Sequence, residues 1–231
     1  MRFAEIRFVA SGLILAGCLS GQTRSRAVAD DEEQIKRLTV FMETDGSYGA
    51  GIIVATGGTT VYIATAAHVL RPMADSKSLK VTFYPDGDVH DAAIEHLPAL
   101  GDVDIAAISV KDKQFQKRLH FDCVGVARFD YDVYMVGHPN HRLWEVSGKP
   151  DAVVAVKDGE IQFQSALVMR GNSGGSLIAN NLRLLVGMVV SQEPPHGEAI
   201  EISTLIATLS SWKIPVMLST ASIDRFLEGL K

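Results

Sequence analysis

From Lys36 onward, apolar and polar positions alternate in short runs, without the 3.6-residue rhythm of long amphipathic helices. The runs RLTVFME, GAGIIVAT, TVYIATAAHV, LKVTFY, AAIEHL, DIAAISV, YDVYMVG, AVVAVKDG, EIQFQSA and LLVGMVVS are rich in β-branched residues. Clusters of Gly, Pro, Asp and Asn separate them, as in TGGT, YPDGD, GHPNH, KDGE and QEPPHGE. Strand candidates at this spacing predict an all-β architecture, either a sandwich or a pair of barrels. Two stretches read as helical. KDKQFQKRL is weakly amphipathic, and in SIDRFLEGL Ser222 caps a helix with Ile223, Phe226, Leu227 and Leu230 on one face.

The first residues follow a different pattern. MRFAEIR carries Arg2 and Arg7, and FVASGLILAG then runs apolar up to Cys18. A charged start followed by an apolar run too short to span a bilayer reads as a secretory signal. Leu15-Ala16-Gly17-Cys18 resembles the lipobox of bacterial lipoproteins. That resemblance implies cleavage before Cys18, acylation of Cys18, and a chain anchored in the bacterial cell envelope, facing the periplasm or the exterior. Residues 1–17 are then a lipoprotein signal peptide, 18–35 a polar tether, and 36–231 one folded domain. The remainder beyond Leu209 is too short for a second domain.

The bulk numbers narrow the classes. The 231 residues are 47% hydrophobic with a net charge of −5, enough for a sizeable core. An acidic balance without basic runs excludes a nucleic-acid partner. Of the two cysteines, Cys123 would stand alone once Cys18 is acylated, so no disulfide is expected. Its strand-like context, HFDCVGVARF, reads as a small buried apolar residue.

Three segments carry candidate chemistry: TAAHV with His68, DVDIAAISV with Asp104, and RGNSGGSL with Ser173. A serine hydroxyl becomes a useful nucleophile when a base takes its proton during attack. Histidine is the natural base near neutral pH, and a carboxylate fixes its tautomer. Each segment also has a plainer reading: a structural histidine, a turn-capping aspartate, and a glycine-rich hairpin turn.

Taken together, TAAHV, DIA and GNSGG resemble the three catalytic segments of the trypsin-like, chymotrypsin-fold serine proteases. VYMVGHP, AIEISTL and Asn172 make the chain most similar to the bacterial Deg/HtrA-type branch, without a PDZ domain. The resemblance implies two packed six-stranded antiparallel β-barrels, with the active site in the cleft between them and a short C-terminal helix. It implies His68 as general base and acid, Asp104 as its orienting partner and Ser173 as nucleophile, with the Gly171 and Ser173 amides forming an oxyanion hole. The DIA context selects Asp104 over Asp102. Ser191 matches the serine that supports the aspartate by hydrogen bonding. Gln192 lies along the wall where a substrate strand pairs, and Leu167 lies at the base of the primary specificity pocket. The neutral Asn172 stands where the animal enzymes carry the aspartate of their activation switch, so that switch is absent. Ala50 in YGAGII replaces a serine of the family pattern.

The expected activity is that of a membrane-anchored serine endopeptidase acting on polypeptides, with no cofactor and no metal. The alternative is a catalytically silent trypsin-fold lipoprotein that binds peptides or partner proteins. A metal site built from His138, His141 and His196 lacks ligand spacing.

Overall fold

The structure is a computed structural model that describes residues 32–44, 46–73, 78–85, 87–112, 124–165, 168–179, 184–193 and 196–218. Cys18, Cys123, Leu167 and the two stretches read as helical, KDKQFQKRL (mostly) and SIDRFLEGL, lie outside the described residues.

A helix over 32–38, α1, comes first. The strands β1 (Thr39–Thr44), β2 (Ser47–Gly57), β3 (Thr60–Thr65), β4 (Leu79–Thr82), β5 (Val89–His96) and β6 (Ala106–Lys111) follow, with a helical turn α2 (Ala67–Leu70) after β3. They close an antiparallel barrel in the order β1-β2-β3-β6-β5-β4. The second set is β7 (Asp132–Gly137), β8 (Glu145–Val146), β9 (Asp151–Lys157), β10 (Glu160–Gln164), β11 (Ser176–Ala179), β12 (Leu184–Glu193) and β13 (His196–Glu201). Its order is β11-β12-β13-β10-β9-β7-β8, and a β11–β7 pairing closes six of these strands, with β8 attached to β7. Closure leaves few unpaired strand edges. Helix α3 (Ile202–Ser211) then packs across the outside.

The expected pair of six-stranded barrels is therefore present. The near-continuous apolar runs have a simple cause: strands buried on both faces do not alternate. In β2, β3 and β6, one set of side chains, with Ile53, Ile63 and Ile108, fills the first barrel. The other set, Ile52, Val54, Ala64 and Ala107, with Ile105 just before β6, packs on Leu185, Met188 and Ile200 of the second barrel and on Ile202, Leu205 and Leu209 of α3. The second barrel is filled by Val133, Met135, Ile161, Phe163, Leu177, Val186 and Val189. This shared apolar layer fixes how the two barrels, and the loops at their junction, meet.

Two differences from the sequence reading have physical reasons. Residues 32–35, expected to end the tether, form the first turn of α1. Ile35 is buried against Val136 and Ile178, and Glu32–Lys36 and Glu33–Arg37 ion pairs brace the helix at i,i+4 spacing. The run TVYIATAAHV is a strand only to Thr65, after which Ala67–Leu70 turns helical.

Candidate active site

In the first barrel, β3 and β6 are antiparallel neighbours with Thr65 opposite Ala106. A residue three beyond the end of β3 therefore meets one two before the start of β6. Those residues are His68 and Asp104. His68 Nδ1 lies 2.7 Å from Asp104 Oδ2, and the His68 backbone N–H donates to Asp104 Oδ1 at 2.9 Å. One carboxylate thus grips both the ring and the main chain of His68. Burial by itself raises the Asp104 pKa, but the hydrogen bonds from the His68 ring and amide outweigh it and hold the carboxyl below its usual value. With Nδ1–H given to Asp104, Nε2 of the half-exposed ring is left as a base.

Ser173 sits in the loop between β10 and β11. Its carbonyl accepts from the Ala50 amide at 2.9 Å, across the barrel junction. A Cβ added at Gly49 would stand 2.6 Å from Val69 Cγ1 and 3.2 Å from Ser173 O, so the segments bearing His68 and Ser173 meet over Gly49. Gly174 has φ +83°, and a Cβ there would stand 2.0 Å from Ala50 O. Thr65 Oγ1 donates to the same Ala50 carbonyl at 2.7 Å. No role for Gly49, Ala50 or Thr65 was legible in the sequence. They are the strip on which the serine loop rests, and Ala50 contributes through its main chain.

The amides of this loop divide into two sets. Asn172 N–H donates to Met169 O at 3.0 Å, Gly174 N–H to Val189 O at 2.7 Å and Gly175 N–H to Asn172 O at 2.8 Å. Among the described residues, the Gly171 and Ser173 amides have no acceptor. Two unpaired donors flanking one residue can receive an anionic oxygen. The Ser173 hydroxyl donates to Val190 O at 3.2 Å, and among the described residues no hydrogen bond joins it to His68.

A family model described as the trypsin-like peptidase domain matches residues 49–188, which contain all of these segments. The chain belongs to the trypsin-like peptidase family. Among solved structures, this trypsin-like peptidase is similar to the serine endoprotease from Yersinia pestis, at 20% identity and a TM-score of 0.64. The match covers 80% of this chain and 66% of that one, so the chain spans about two thirds of the Yersinia protein. It is also similar to Rv3671c from M. tuberculosis H37Rv, solved as the inactive form of a serine-to-alanine mutant. There the identity is 17%, the TM-score 0.61 and the coverage 82% of this chain and 92% of that one. Likeness at these identities is likeness of fold.

The remaining expected site residues are less uniform. Ser191 does not support Asp104 in this trypsin-like peptidase. The β12–β13 register shifts between Val189 and Ser191, which leaves Val190 as the extra residue and sets Ser191 opposite Glu198. Directly opposed residues share a face, and the Ser191 hydroxyl donates to Glu198 Oε2. Val190 instead offers its carbonyl to Ser173, and its side chain packs on two apolar clusters. Gln192 pairs through its main chain with Gly197 on β13. Among the described residues, no three His, Cys, Asp or Glu side chains form a group able to hold a metal.

Proposed function

We propose that the chain is a serine endopeptidase that hydrolyses peptide bonds through an acyl-enzyme. Ser173 Oγ attacks the scissile carbonyl carbon while its proton passes to His68 Nε2, and Asp104 stabilises the resulting imidazolium. The oxyanion of the tetrahedral intermediate accepts from the Gly171 and Ser173 amides. His68 then gives its proton to the leaving nitrogen as the C–N bond breaks. Water repeats the sequence on the ester and restores Ser173.

The observation that carries this reading is the pairing pattern of the amides at 171–175, of which, among the described residues, Gly171 and Ser173 are left without acceptors. The hydroxyl must first leave Val190 O, a rotation about χ1 between staggered wells that is small beside the chemical barrier. The runner-up, a silent peptide-binding protein of the same fold, draws its support from that same Ser173–Val190 bond. Hydrolysis of an unfolded protein substrate such as casein separates the two readings. Wild-type protein cleaves it and the Ser173→Ala protein does not; equal traces from both, with the proteins folded, select the silent reading.

The proposal extends to the anchor. Cys18, acylated and then left as the first residue by removal of residues 1–17, would hold the domain at the bacterial cell envelope, facing the periplasm or the exterior, with polypeptides as substrates. Among the described residues no helix is long and apolar enough to cross a membrane, and two or more acyl chains suffice for stable attachment. Metabolic labelling with an alkyne fatty acid tests this: label on wild type and none on Cys18→Ala is expected, and equal label on both refutes it.

A further inference from the structure

The turn after β7 has an unusual backbone. Asn140, His141 and Trp144 have φ of 51°, 63° and 50°, three left-handed residues with side chains within five positions. Such conformations persist where surrounding contacts impose them. Here the contacts run in two directions.

On one side the turn is tied to β1 of the first barrel. The His138 ring, fully buried, places Nε2 3.0 Å from Val40 O, while Nδ1 accepts from the Trp144 backbone N–H at 3.0 Å. Carbonyl and amide together fix the neutral tautomer with the proton on Nε2. Trp144 Nε1–H donates to Thr39 O at 2.8 Å. The Phe41 ring meets the His138 ring edge-on at 5.0 Å, and Tyr48 lies against His141 at 3.6 Å between centroids.

On the other side the turn holds the serine loop. His138 N–H donates to Gly171 O at 3.0 Å and Asn140 N–H to Arg170 O at 3.1 Å. The Gly171 backbone, with φ +99°, passes so close that a Cβ there would stand 2.1 Å from His138 O. In a trans peptide the N–H points opposite to the C=O. Fixing the Arg170 carbonyl on Asn140 therefore fixes the direction of the Gly171 N–H, one of the two unpaired donors.

We infer that His138 is a positioning residue for the proposed hydrolysis: its ring locks the 138–144 turn to the first barrel, and the turn aims the Gly171 amide. This rests on the peptidase reading above. Without the ring, the left-handed residues relax, the two backbone bonds to Arg170 and Gly171 loosen, and the Gly171 amide loses its direction.

The test uses the folded full-length protein with a fluorogenic peptide substrate and a peptidyl boronic acid that mimics the tetrahedral adduct. His138→Gln keeps a donor for Val40 O and leaves no acceptor at the Nδ1 position that Trp144 N–H uses. The expected result is a kcat lower by about 10²-fold, the scale of one lost oxyanion donor in a protease of another fold, with KM changed less than about threefold. Boronate affinity falls in parallel with kcat/KM. The downfield proton resonance of His68 Nδ1–H stays in place, because the Asp104 contact is untouched. Asn140→Val perturbs the same turn from an exposed position, where a β-branched residue resists positive φ, and keeps the test open if the core variant misfolds. It lowers kcat in the same way. Wild-type kcat in either folded variant overturns the inference, as does a loss confined to KM. A wild-type protein that hydrolyses nothing overturns the peptidase reading itself.

Discussion

Lowering the pH from 7.5 to 5.0 should destabilise this protein through one buried ring. His138 is fully buried, and burial pushes its pKa from 6.5 down to about 4, against the opposing effect of its bond to Val40. In the unfolded chain the ring titrates near 6.5, so between that value and about 4 the unfolded state binds a proton that the folded state refuses. Stability is complete above the unfolded pKa and is lost as pH falls toward the folded one. Each pH unit in this window costs about 1.4 kcal/mol, which gives about 2 kcal/mol by pH 5 and about 3 kcal/mol once both states are protonated. The assay is urea unfolding of wild type and His138→Gln at both pH values. Asp104, held below its usual value by His68, keeps those hydrogen bonds in both proteins, so its contribution cancels in the comparison. Wild type should lose about 2 kcal/mol more than the variant. Equal losses would refute the claim that the buried neutral ring holds the barrel junction.

Three further outcomes follow from the same geometry. Asp104→Asn should reduce kcat/KM by about 10⁴-fold while the protein stays folded, because the amide no longer selects the required His68 tautomer; steady-state kinetics beside circular dichroism checks it. Thr39 Oγ1 and Ser176 Oγ are 2.9 Å apart and buried at the barrel junction, so Thr39→Val should cost about 1–3 kcal/mol in urea unfolding, and adding Ser176→Ala should recover part of that loss. Gly174→Ala forces a Cβ to 2.0 Å from Ala50 O at φ +83°, and thermal unfolding should show a lower midpoint with hydrolysis abolished.

Most of the barrel strands were legible because burial on two faces writes long apolar runs, as in GIIVAT and DIAAISV. β11 was not, since SLIA follows directly on the glycines of the serine loop and reads as part of it. β13, HGEAIE, carries two acidic residues and lies beside Pro194 and Pro195. Its strand character comes from pairing with both β10 and β12. Helix α3 was hidden by the β-branched and hydroxyl residues of ISTLIATLSS, whose helical state rests on burying Ile202, Leu205 and Leu209 against the barrels.

The site divides in the same way. His68 and Asp104 were legible because TAAHV and DIA are local signals, and the β3–β6 register brings them together. Ser191 was misread because counting along the chain cannot detect the register shift at Val190. The 138–144 turn appeared only as the loop GHPNH. Its role depends on three left-handed residues and on partners in β1, about a hundred positions upstream, and neither leaves a mark in the local sequence.

The most direct test of the account is covalent labelling of the folded protein by a fluorophosphonate, read by intact mass and peptide mapping. One adduct is expected, on Ser173, that disappears in Ser173→Ala and falls sharply in His68→Ala. A folded wild-type protein that takes no label, or takes it elsewhere, contradicts it.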